Sequence, residues 1–216
     1  MRGNADVRFL TRMRPDVERD LKASSKVFAQ LTWPAISPIC SGGRLIPVEG
    51  STTSELQNLL DQRAGIDGWQ VFKVEQHDVI RSIASRVQWS AESWRSFTLR
   101  YQRNNGSLTE VAKWLFSYDH PDYDLSHPAL VVQSYTSLPR GSVDGPLLEA
   151  AVMRWHDLVT FMKSHPPEKR LKKNPEDGTL FAPYWWEELR RAGLQIGVVT
   201  GDGQRVPTPY YKGYSV

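Results

Sequence analysis

The sequence predicts an α/β (α+β) fold, a central mixed sheet flanked by helices, in one domain spanning residues 1–216. Three observations predict it. Three runs rich in aromatic and β-branched residues follow one another between Asp67 and Gln102. Stretches with apolar residues at helical spacing stand before and after them. Hydrophobic residues make up 40% of the chain, and eight Trp, eight Tyr and seven Phe supply enough apolar surface for one sizeable core, which excludes global disorder.

The elements are expected in this order. Val17, Leu21, Val27, Phe28 and Leu31 give a helix from Pro15 to Leu31. The proline-broken segment TWPAISPICSGGRLIPVEG reads as extended or looped. A short helix from Thr53 to Gln62 has hydroxyl caps at Ser51 to Thr53, Glu55 in its first turn and Gly65 past its end. The strands Asp67 to Val74, Val79 to Trp89 and Arg95 to Gln102 come next. Ser107 and Glu110 form a capping box for a helix ending near Ser117. Ala129 to Tyr135 reads as a buried strand, and Pro146 to Ser164 as the longest helix, with Leu147, Ala151, Val152, Trp155, Leu158, Val159 and Met162 at helical spacing. A basic loop, a strand near Thr179 to Ala182, a helix from Trp185 to Ala192 and a strand from Leu194 to Val199 complete the order. The segment 201–216 reads as an extended tail.

Composition narrows the function. The net charge is +3 and the pI near 9.0, a mild basic excess that permits nucleic-acid binding without demanding it. Cys40 is the sole cysteine, so no internal disulfide and no cysteine-based zinc site forms; a reducing, cytoplasmic location is expected. No apolar run is long enough to cross a membrane and no signal-peptide core stands near Met1. No nucleophile elbow, phosphate-cradling loop or dinucleotide glycine motif is present, which leaves serine hydrolases, nucleotide hydrolases and Rossmann oxidoreductases without support.

Read from Thr53 the element order is αβββαβ, and charged residues fall at telling places in it. Asp67 opens the first strand in AGIDG, Asp61 lies just upstream in LLDQR, and Arg86 and Gln88 share one face of the second strand. With the strands IASRVQW and SFTLRYQR and the helix TEVAKWL, this stretch, residues 49 to 118, resembles the PD-(D/E)XK, or restriction-endonuclease-like, nuclease superfamily. The resemblance implies a nuclease-like core over residues 49–135, with residues 1–48 and 136–200 as additions around it. In that superfamily an Asp at the start of one strand and a Glu-X-Lys on the next bind a divalent metal and activate water. Asp67 matches the Asp and Arg86 stands near the Lys position, but Ala84 occupies the place of the Glu.

The implied activity is a metal-dependent endonuclease acting on DNA, with Mg²⁺ or Mn²⁺ held by Asp61, Asp67 and Glu49, Gln88 positioning, and Arg86 neutralising the phosphorane charge. Arg86 cannot act as a base, because a guanidinium stays protonated. Arg100, Arg103, Lys169, Arg170, Lys172 and Lys173 are the expected backbone contacts, and a homodimer would let both strands be cut.

Each feature has a plainer alternative. Asp67 also suits a turn, Arg86 an ion pair with Asp67, and the basic residues a solvated surface. The segment Asp119 to His127 gathers carboxylates and imidazoles that suit a transition metal or simply a polar loop. The missing Glu argues for a non-catalytic nucleic-acid-binding or adaptor protein on the same scaffold, and Tyr210, Tyr211 and Tyr214 for a docking arm.

Overall fold

A computed structural model describes residues 15–49, 60, 65–103, 109–121, 127–137, 139–175, 177–202 and 204. Apart from Leu60, the expected helix from Thr53 to Gln62 with Asp61 lies outside these residues, as do the Ser107 cap and the tyrosines of the tail.

Helix α1 (Pro15–Val27) runs through a π-helical turn (Phe28–Thr32) into α2 (Trp33–Ile36) and a 3-10 turn (Ser37–Ile39). The first part of the segment expected to be extended or looped, Thr32 to Ile39, is therefore helical, and its second part holds a strand as expected. Pro34 and Pro38 are each the second residue of a short turn that continues the helical turn before it, with Thr32 and Ile36 in helical conformation. Strand β1 (Arg44–Pro47) follows, then the hairpin β2 (Gly68–Val74) and β3 (His77–Trp89), turning at Glu75, whose φ is 55°.

Strand β4 (Ser96–Gln102) departs from the expected third strand of one sheet. It pairs with β8 (Leu180–Trp185), which pairs in turn with β7 (Lys172–Lys173), in a separate three-stranded sheet. The alternation of Phe97, Leu99 and Tyr101 marks the core face as expected. Ser96 and Thr98, on the other face, are buried too, where Tyr135 and Gln133 meet their polar groups. A strand buried on both faces is not a hairpin edge.

Helix α3 (Glu110–Asp119) begins after Thr109 as N-cap, so Glu110 opens the helix instead of sitting at its third position. Strand β5 (Leu130–Thr136) runs parallel to β3, and β6 (Leu147–Arg154) antiparallel to β5. Here the expected long helix splits. Its first half is strand β6 and its second half is α4 (Trp155–Ser164). The run LLEAAVM is buried on both faces, and such a strand shows no period that separates it from a helix. A 3-10 turn (Pro167–Arg170), α5 (Trp186–Arg191) and β9 (Gly197–Thr200) complete the fold.

The six-stranded sheet has the order β1-β2-β3-β5-β6-β9. One face packs on α1, α2 and the turns between them through Phe28, Trp33, Ile36, Ile83, Val132 and Val152. The other packs on α3, α4, α5 and the smaller sheet through Trp114, Tyr135, Met153, Leu158, Tyr184 and Trp186. The sheet thus lies between two apolar layers, and its polar side chains are sites of interest. Among the described residues no helix is long and apolar enough to cross a membrane.

Candidate functional site

Asp67 continues the pairing of β2 with β1 by one residue, while toward β3 its amide bonds out of the regular register. Its N–H donates to Ile83 O at 2.8 Å, and its carbonyl accepts from Val48 N at 2.9 Å. The ladder between β2 and β3 starts at Gly68 opposite Ile83, and on β3 Ala84, Arg86 and Gln88 share one face of the sheet. The backbone N–H of Ser85 donates to Asp67 Oδ2 at 2.5 Å. Ala84 is buried against the larger apolar cluster. Arg86 and Gln88 are half-buried and stand opposite Gln133 and Tyr135 of β5. Glu49, half-buried, lies in the turn after β1, one residue beyond the Val48 that bonds to Asp67.

Asp61, expected to share Mg²⁺ or Mn²⁺ with Asp67 and Glu49, lies outside the described residues. One oxygen of Asp67 takes the Ser85 amide proton, and Ala84, two residues before Arg86, carries a methyl where the resemblance expects a Glu. Among the described residues no three of His, Cys, Asp and Glu converge as a metal-binding group. This includes the described part of the Asp119–His127 segment. There Asp119 pairs with Lys163, His120 stacks on Phe116 and His127 stacks on Trp155.

The basic residues separate into two kinds. Arg170 is engaged internally: it forms a two-pronged pair with Glu188 at 2.8 and 2.9 Å, donates to Pro183 O and covers the ring of Tyr184. Lys169, Lys172, Lys173 and Arg103 are exposed, and Arg100 is half-buried. Strand register sets Arg100, Phe181 and Lys172 side by side across β4, β8 and β7, on one face of the small sheet. Asp177, in the β7–β8 connection, is their acidic neighbour. Burial raises its pKa, but bonds from Thr179 and the charges of Arg100 and Arg140 outweigh this and hold it below the usual carboxylate range.

Sequence reasoning missed a polar seam at the other end of the same sheet face. Gln88, Tyr135, Glu149 and Thr200 form one row across β3, β5, β6 and β9. Tyr135 donates its hydroxyl proton to Ser96 O at 2.8 Å. Burial raises its pKa against the opposing pull of Ser96, Thr98 and the Arg86 charge. Glu149 is 7% exposed and accepts three bonds from Arg95 at 2.7 to 3.1 Å. Burial pushes Glu149 up, yet Arg95, Ser93 and the Arg190 charge together bring its pKa below the usual carboxylate range. Nε and Nη2 of Arg190 are buried without an acceptor. The signal for this seam was a Glu inside an apolar run, which marks a buried carboxylate in need of a cation.

On the opposite face, Arg81 donates to Gln70 Oε1 and Cys40 O, while Gln70 Nε2 donates to Cys40 O and Gly42 O. This cluster fastens the loop before β1 to the hairpin. Burial lifts the Cys40 thiol to about 11 against the lowering charge of Arg81, so the thiol stays protonated at neutral pH. No protein family, curated protein or solved structure matches the chain.

Proposed function

We propose that this chain is a non-catalytic nucleic-acid-binding protein, built on a nuclease-like sheet and working in the cytoplasm. The observation that carries the reading is Ala84, buried, two residues before Arg86 on β3. The nuclease resemblance requires a second metal-binding carboxylate at that place, and a buried methyl cannot serve as one. Binding is supported by the Arg100–Phe181–Lys172 row with Lys173, Lys169 and Arg103 nearby in sequence. Cations that neutralise phosphates release counterions, and an aromatic ring between them offers a base a stacking surface worth about 1–3 kcal/mol. DNA is the partner this surface suits, as backbone rather than as sequence.

A second reading, a Mg²⁺- or Mn²⁺-dependent endonuclease, has one observation in its favour: the Asp67 carboxylate lies against β3 at Ser85, next to Arg86 in sequence. It relies on Asp61, which lies outside the described residues, and on Glu49 to supply the missing oxygens. A homodimer belongs to this reading, since cutting a duplex through needs two sites.

Incubation with plasmid and single-stranded DNA in magnesium, manganese or EDTA separates the two. The proposed function expects intact DNA in every condition together with retarded mobility. Metal-dependent cutting that disappears in Asp67→Ala would replace it with the second reading.

A further inference from the structure

Strand β8 carries aromatic side chains near both ends of one face. Residues two apart on a strand share a face, so Phe181, Pro183 and Trp185 form one row. We propose that this row binds unpaired DNA, with the backbone on the cations at the β7 end and bases stacked on Phe181 and Trp185. The inference rests on the nucleic-acid reading and narrows it from DNA in general to a single strand.

Register fixes which face the row occupies. Trp185 stands opposite Ser96, Pro183 opposite Thr98, and Phe181 opposite Arg100. Over β4 this face is closed: Ser96 and Thr98 are buried, and the Ser96 hydroxyl meets Tyr135 of the large sheet. Pro183 is buried as well. The face opens at the two ends of β8. Phe181 is half-buried beside the exposed Lys172, and Trp185 is 45% exposed. Among the described residues no other ring packs on Phe181 or Trp185. Trp186 N–H donates to Arg95 O at 2.8 Å, so main-chain pairing continues past Trp185 and its ring stands on a fixed backbone. A platform held in place before binding loses less entropy when a base settles on it.

Charge decides the occupant. The strands β4, β7 and β8 carry Arg100, Lys172 and Lys173 and no Asp or Glu; Asp177 stands off them, in the β7–β8 connection. Cations beside open aromatic rings match a polyanion that also presents flat faces, which is the chemistry of an unpaired strand. A duplex offers the same phosphates but keeps its base faces inside the stack, which leaves Trp185 without a partner. Four residues along a strand put the backbones of Phe181 and Trp185 about 13 Å apart, so the two rings take different bases. Near Trp185 the Arg95 guanidinium is neutralised by Glu149. The phosphate contacts therefore gather at the Lys172 end, and Trp185 acts through stacking alone. The hydroxyls of Ser96 and Thr98 are engaged with Tyr135 and with each other, so they do not read the 2′-hydroxyl that would favour RNA.

Fluorescence anisotropy of the full chain with labelled oligo-dT, the same strand in a duplex, an abasic strand of equal length and the matching RNA tests this. Oligo-dT should bind more tightly than the duplex or the abasic strand. Trp185→Ala should weaken oligo-dT at least about fivefold, with its salt slope unchanged, and leave the duplex and the abasic strand as they were. That retained binding shows that the variant is folded. Trp185→Phe should restore most of the loss, and Phe116→Ala, at an exposed ring on α3, should change nothing. A duplex bound as tightly as oligo-dT, with Trp185→Ala altering neither, overturns this inference and leaves the nucleic-acid reading standing. No binding of any strand removes both. RNA bound tenfold more tightly than DNA overturns the choice of DNA. A wild-type dimer that Trp185→Ala dissociates, with DNA affinity unchanged, overturns the site in favour of a second copy of this chain.

Discussion

Glu149 on the six-stranded sheet and Lys172 on the three-stranded one are both charged strand residues, and they are treated in opposite ways. Glu149 is almost wholly buried and spends its carboxylate on Arg95. Lys172 is exposed, in line with Arg100 and Phe181. Both sheets contribute to one apolar cluster, so the contrast does not come from how well each is packed. It comes from which face each charge occupies. Glu149 on the large sheet's inner face is neutralised by Arg95, whereas Lys172 on the small sheet stands in solvent, where the proposed function places a nucleic acid.

The largest expected effect is on the Glu149 side. Arg95→Ala strands a buried carboxylate and should cost about 2–3 kcal/mol in urea unfolding. The pH dependence has a definite sign. A carboxyl whose folded pKa lies below its unfolded one adds stability above the usual carboxylate range, and loses it as pH falls through the folded value. The gap between wild type and Arg95→Ala should therefore close in acid, below the usual carboxylate range. A gap that stays constant with pH would mean that Arg95 acts by packing alone. Tyr135→Phe removes the donor to Ser96 O in the same seam and should cost about 1–2 kcal/mol.

Arg170→Ala sharpens the contrast within the basic group. It should lower stability by about 1 kcal/mol and leave DNA affinity unchanged, because its guanidinium serves Glu188 and Pro183 O. The double variant Lys172→Gln, Lys173→Gln should do the reverse. Its melting temperature should match the wild type, while the slope of log affinity against log salt falls by about 1.4 on single strands and about 1.8 on duplex. If Arg170 were the residue that mattered for DNA, the division between the sheets would collapse.

The sequence disclosed much of this, and its failures have physical causes. The β2–β3 hairpin was legible because its runs of aromatic and β-branched residues end at a polar turn. Asp67 is marked by its place at a strand mouth, and the shared face of Arg86 and Gln88 follows from strand alternation alone. Strand β6 was hidden because burial on both faces erases the two-residue period. The departure of β4 was hidden because its alternation is the same whichever strand it joins; only the pairing with β8, some eighty residues away in sequence, decides it. Arg170 looked like its neighbours Lys169 and Lys172, since nothing local reveals that Glu188 folds back against it. The Glu149–Arg95 pair joins residues 54 apart, beyond any local pattern.

The most direct test of the central claim is the affinity for a labelled oligonucleotide, measured by fluorescence anisotropy from about 50 to about 200 mM salt, in EDTA and in magnesium. The account predicts a straight log–log salt dependence, the same in both buffers, with the oligonucleotide intact at the end. Binding that is lost on chelation, or an oligonucleotide cut in magnesium, would contradict it.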